Sequence, residues 1–99
     1  MTEIAPTSQF DLDRAWTVDP RVALRPESFG ALAYHFGTRR LSFLKSPRLL
    51  AVVRGLEEHP TARDACMAAG VGAADLPVYE RALSTLARTG MICQPDGMR

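Results

Sequence analysis

The sequence predicts an α+β domain in which a three-stranded antiparallel sheet comes first and three helices follow. Three observations carry that expectation. Between residues 21 and 44, apolar side chains recur at every second position in short runs separated by turn residues. From Pro47 onward they recur three and four apart. Ninety-nine residues, 46% hydrophobic and 23% charged, suit one core and one domain.

The first segment, residues 1–9, mixes Pro, Ser and Thr around a lone Ile4 and carries no basic stretch followed by an apolar run. The division expected is a mobile stretch over 1–15, a folded domain over 16–93 and a frayed tail over 94–99. Phe10, Leu12 and Trp16 are spaced to cover an edge of the core, with Trp16 as a packing anchor. Residues 16–18 read as extended, and Asp19-Pro20 reads as a turn.

Val22 and Leu24 then share one face of a strand, with Arg21, Ala23 and Arg25 on the other. Pro26, Glu27, Ser28 and Gly30 break it, and Phe29 folds back over the sheet. In the next run Leu32, Tyr34 and Phe36 alternate with Ala31, Ala33 and His35, the pattern of a strand with one packed face. A turn over 37–40 reverses the chain, and Leu41, Ser42, Phe43 and Leu44 return as a third strand. No later stretch has a strand period, so this hairpin ends in an open edge. Such an edge is either blunted or used to capture an extended chain.

Ser46-Pro47 is an N-cap followed by proline at the first helical position. Leu49, Leu50, Val52, Val53 and Leu56 form the first helical stripe, running to about Glu58 and stopped by Pro60. Glu57 and Glu58 sit at the unfavourable end of that helix dipole. Thr61, with Asp64 three residues on, opens a second helix whose Ala62, Ala65, Cys66 and Ala69 make a small-residue face, closed by Gly70. Asp75 and Pro77 mark a third start. Val78, Tyr79, Ala82, Leu83, Leu86 and Ala87 form its stripe, Arg81, Ser84, Thr85 and Arg88 lie on another side, and Gly90 ends it. Met91 and Ile92 close the chain as a packing clip.

Strands followed by helices in this order are winged-helix-like. Residues 16–92 also resemble the PqqD-like peptide chaperones, or RiPP recognition elements, and among them the chaperones of mycofactocin biosynthesis. The likeness rests on Val18-Asp19-Pro20-Arg21-Val22-Ala23-Leu24-Arg25-Pro26-Glu27, on Phe29-Gly30-Ala31-Leu32, on the run from Tyr34 through Arg40, Leu41 and Phe43 to Pro47, and on the closing stretch 83–92. It implies a non-catalytic module that binds the leader of a ribosomal precursor peptide by strand addition and presents it to a radical S-adenosylmethionine maturase. It also implies that the leader lies along Leu41–Leu44, facing the helix over 77–89.

The expected peptide-binding residues are accordingly Arg40, Leu41, Ser42, Phe43 and Leu44 on the strand, and Tyr79, Arg81, Ala82, Leu83, Leu86 and Arg88 on the helix. Core packing is the competing reading for Leu41, Phe43, Tyr79, Leu83 and Leu86. Arg39, Arg40, Lys45 and Arg48 are expected on the surface, placed to steer an acidic leader.

No catalytic residue, cofactor or metal site is expected. His35 lies opposite Tyr34 and Phe36, His59 precedes a proline, and neither has a sequence-visible nucleophile or ligand partner. Cys66 and Cys93 are too far apart and too few for a zinc cage, and are expected as reduced thiols in the cytoplasm. No stretch is long enough to cross a bilayer. A net charge of +1 argues against nucleic acid. The alternative function is nevertheless a winged-helix DNA-binding protein, carried by Arg81 and Arg88 on the last helix and the cations around Arg39. A homodimer through the exposed sheet edge is the third possibility.

Overall fold

The computed structural model describes residues 10–95. Its elements are β1 (Thr17–Val18), β2 (Val22–Glu27), β3 (Gly30–His35), β4 (Leu41–Leu44), α1 (Pro47–Gly55), α2 (Ala62–Ala68), α3 (Leu76–Arg88) and β5 (Ile92–Cys93). β2, β3 and β4 form the expected antiparallel meander, and β1 pairs with β5 in a separate two-stranded ribbon. Sequence reasoning missed that ribbon. Thr17 stands opposite Cys93 and Val18 opposite Ile92, and the Asp19 N–H donates to the Met91 carbonyl at 3.0 Å. Two-residue strands are too short to leave a period, so Met91 and Ile92 read only as apolar packing.

The packed face of β3 carries its small side chains. Ala31, Ala33 and His35 are buried, whereas Leu32 and Tyr34 are half-buried and Phe36 is exposed. α1 lies across β3, and the two alanines let the helix approach closely; larger side chains there would hold it off. Val52, Val53, Leu56, Leu44 and Leu83 join that face in one core with Trp16 and Ile92.

Helix ends follow the sequence signals. The Ser46 hydroxyl accepts from the Leu49 N–H at 3.0 Å, and the Thr61 hydroxyl accepts from Asp64 at 3.1 Å. α1 stops at Gly55 and a 3-10 turn, Leu56–Glu58, takes the chain to the expected end. His59 supplies an unforeseen stop, its Nδ1 lying 2.8 Å from the Gly55 carbonyl. Gly90, at φ 81°, closes α3 in a left-handed cap, with the Met91 N–H donating to the Leu86 carbonyl at 2.9 Å.

The segment before β1 is docked. Leu12 and Trp16 are buried, and the carbonyls of Arg14 and Leu12 accept from Ala62 and Arg63 at 3.0 and 2.9 Å, satisfying first-turn N–H groups of α2. The stretch expected to be mobile thus includes residues 10–15, which are tied to a helix. Residues 1–9 and 96–99 lie outside the described residues.

Candidate functional site

The hydrogen-bond phase of the sheet determines what its edges offer. The His35 N–H donates to the Arg40 carbonyl at 2.9 Å, and the Phe36 N–H donates to the Arg21 carbonyl at 2.8 Å. Antiparallel ladders alternate. With the register Ala33 opposite Ser42 and Leu32 opposite Phe43, Ser42 and Leu44 bond inward to β3. The N–H and C=O groups of Leu41 and Phe43 therefore point away from it. Among the described residues no strand pairs with that side of β4.

Beside this edge lies a cleft of about 600 Å³ between β4 and α3. Leu41, Ser42, Phe43, Lys45 and Ser46 form one wall, Val78, Tyr79, Ala82 and Thr85 the other, and Leu49 with Leu86 complete it. That size and apolar character fit a few buried side chains of a ligand.

Of the residues singled out from sequence, Leu41, Ser42, Phe43, Tyr79, Ala82 and Leu86 come together here. Leu44 and Leu83 do not line the cleft; both are fully buried in the core behind it. Arg40, Arg81 and Arg88 are exposed and do not line it either. The Arg88 guanidinium is within 3.4 Å of the Thr85 hydroxyl, which places it on the rim. Lys45, Ser46, Leu49, Val78 and Thr85 were missed as lining residues, Lys45 having been expected only as a surface cation. Val78 and Leu49 were read as helix stripe, and the stripe alone does not show which of its members border the strand.

Charge is distributed unevenly around the cleft. Arg14, Arg21, Arg25 and Arg63 pair with Asp11, Asp19, Glu27 and Asp13. Arg39, Arg40, Lys45, Arg48, Arg54, Arg81 and Arg88 form no ion pair among the described residues; on α3 the exposed Glu80 accompanies Arg81 and Arg88, whereas at Arg39, Arg40 and Lys45 beside β4 the charge is positive throughout. Its contribution to stability is small in water, but its long-range field is available to an anionic partner.

The turn that launches β4 is organised by His35. Its Nδ1 accepts from the Gly37 and Thr38 N–H groups at 2.9 and 3.0 Å, which places the ring proton on Nε2, 3.9 Å from Asp19. Arg39 completes the turn at φ 65°, a left-handed conformation that costs a side chain energy. The Arg21 guanidinium and N–H donate to the Asp19 carboxylate and hold its pKa below the ordinary range, against the opposing effect of burial. Both cysteines are free, and burial pushes each thiol up, which keeps them protonated and weakly reactive at neutral pH. No helix among the described residues is long and apolar enough to cross a membrane.

A profile of the peptide chaperone MftB family matches residues 15–93. The chain is 54% identical over 88 residues to a peptide chaperone MftB of Mycobacterium tuberculosis, covering 89% of this chain and 81% of that one. A peptide chaperone MftB of Mycobacterium ulcerans is 57% identical over 83 residues, 84% of this chain and 76% of the relative. One from Mycolicibacterium smegmatis is 46% identical over 98 residues, 97% and 96% of the two chains. No solved structure matches.

Proposed function

The chain belongs to the peptide chaperone MftB family, and from that premise we propose that it serves mycofactocin biosynthesis by capturing the leader of a ribosomal precursor peptide as an added strand on β4. The observation that carries this reading is the coincidence of two backbone positions unpaired among the described residues, Leu41 and Phe43, with an apolar cleft on the same edge. Backbone pairing supplies register, and the cleft selects the side chains that point into it. A four-residue edge spans about 13 Å, so about four leader residues are held this way. The unpaired cations around Arg40 and Arg88 steer an acidic leader and raise its association rate.

The bound leader presents the rest of the precursor to a radical S-adenosylmethionine maturase, which supplies the chemistry; this chain acts by binding alone. An amide NMR titration with the precursor peptide encoded beside this protein tests the capture step. Shifts concentrated in β4 and α3 are expected. Shifts spread over the surface cations alone, and abolished by moderate salt, would contradict it.

A further inference from the structure

The cleft explains only half of what β4 presents. Leu41 and Phe43 are 53% and 58% exposed, and their side chains project from the sheet face opposite the core, on the same side as Leu32 and Tyr34. Phe29, 46% exposed in the turn between β2 and β3, sets its ring edge-on against Phe43 with centroids 6.1 Å apart. Large apolar side chains clustered in water mark a contact surface. This cluster is continuous with the proposed capture edge, because Leu41 and Phe43 are also the residues whose backbone groups point outward.

Resting on the strand-addition reading above, we propose that β4 reads both faces of the captured peptide. Side chains of an added strand alternate between faces. A residue placed opposite Ser42 enters the cleft, and its neighbours in sequence fall on the outer face beside Leu41 and Phe43. Directly opposed side chains on one face lie about 5 Å apart, within contact distance. The recognised segment is therefore apolar at consecutive positions rather than at alternate ones. A segment with polar residues on its outward face would leave the side chains of Leu41 and Phe43 without an apolar partner and lose that part of its affinity.

The test uses the full chain and a fluorescent synthetic precursor peptide in an anisotropy titration, with serine substituted singly along the leader. Four consecutive leader positions are expected to be sensitive, each substitution weakening binding about fivefold or more. Leu41→Ser and Phe43→Ser should each weaken binding about tenfold without lowering the melting temperature, since both side chains are exposed. In those variants the outward leader positions become insensitive and the inward ones stay sensitive. Phe36→Ser removes another exposed ring on this face, one that packs edge-on against Tyr34 and lies beyond the paired register of β4, and should leave binding within about twofold.

Sensitivity at alternate leader positions in the unmodified chain overturns the two-face reading and leaves strand capture standing. Equal losses from Phe36→Ser and Phe43→Ser also overturn it, and a concentration-dependent mass lost in Phe43→Ser would assign the patch to a second copy of this chain. A leader that does not bind at all overturns both readings together.

Discussion

The two edges of the meander differ in how many donors they leave free. On β2 the alternation points the groups of Val22, Leu24 and Pro26 outward. The Val22 N–H is taken by the Asp19 carbonyl at 2.9 Å, and Pro26 has none, so only Leu24 offers a donor. An Arg25–Glu27 pair at 3.0 Å adds charge to the outer face of that strand. On β4 both Leu41 and Phe43 keep their outward N–H groups, no proline intervenes, and an apolar cleft lies alongside. β2 loses its outward donors at Val22 and Pro26 to a turn and a proline, whereas β4 keeps both of its own and is limited only by its four-residue length and the flanking Arg39, Arg40 and Lys45. That asymmetry is what the strand-addition proposal draws on.

The largest perturbation of that contrast is at Gly30. Its φ is +152°, and a side chain there would run into the Leu44 carbonyl and the Ser46 backbone, where β4 meets α1. Gly30→Val should cost about 3 kcal/mol in urea denaturation, because it pries the open strand from the sheet. Phe43→Pro acts on the edge itself. It removes an outward donor without breaking a bond to β3, so precursor binding should fall more than the tenfold expected of Phe43→Ser, with the fold intact by circular dichroism.

The converse change, Pro26→Val, reopens the guarded edge and should make the chain self-associate in sedimentation velocity at concentrations where the parent stays monomeric. Asp19 supports the guarded corner. Because its folded-state pKa is lowered, chiefly by hydrogen bonds from Arg21, its contribution is complete above the ordinary carboxylate pKa and is lost as pH falls through the lowered value. Asp19→Asn should cost about 1 kcal/mol at pH 7 and flatten the loss of stability below about pH 4. The smallest effect is at Arg39, where glycine relieves the left-handed strain and should stabilise the β3–β4 turn by about 0.5 kcal/mol, while loss of the charge weakens binding by less than about twofold.

The meander, the three helices and their caps were legible because each leaves a local signal: Ser46-Pro47, Thr61 with Asp64, and Gly90 all act where the sequence placed them. The open edge was legible because no later segment carries a strand period. The β1–β5 ribbon was not, since its pairing joins short segments far apart in the chain. Nor was the direction of β3 visible, because Ala31 and Ala33 are buried for the space they leave to α1 and not for their size. For the cleft, period identified the stripe of α3 but not how far round it turns. Leu83 points into the core, and Val78, at the stripe's margin, faces the strand.

The difference between the edges is tested most directly by residue-resolved amide hydrogen exchange of the full chain with and without the precursor peptide. Strand addition on β4 predicts that the Leu41 and Phe43 amides become protected on binding while Leu24 continues to exchange at its free rate. Protection gained at Leu24, or binding that leaves Leu41 and Phe43 unprotected, would contradict it.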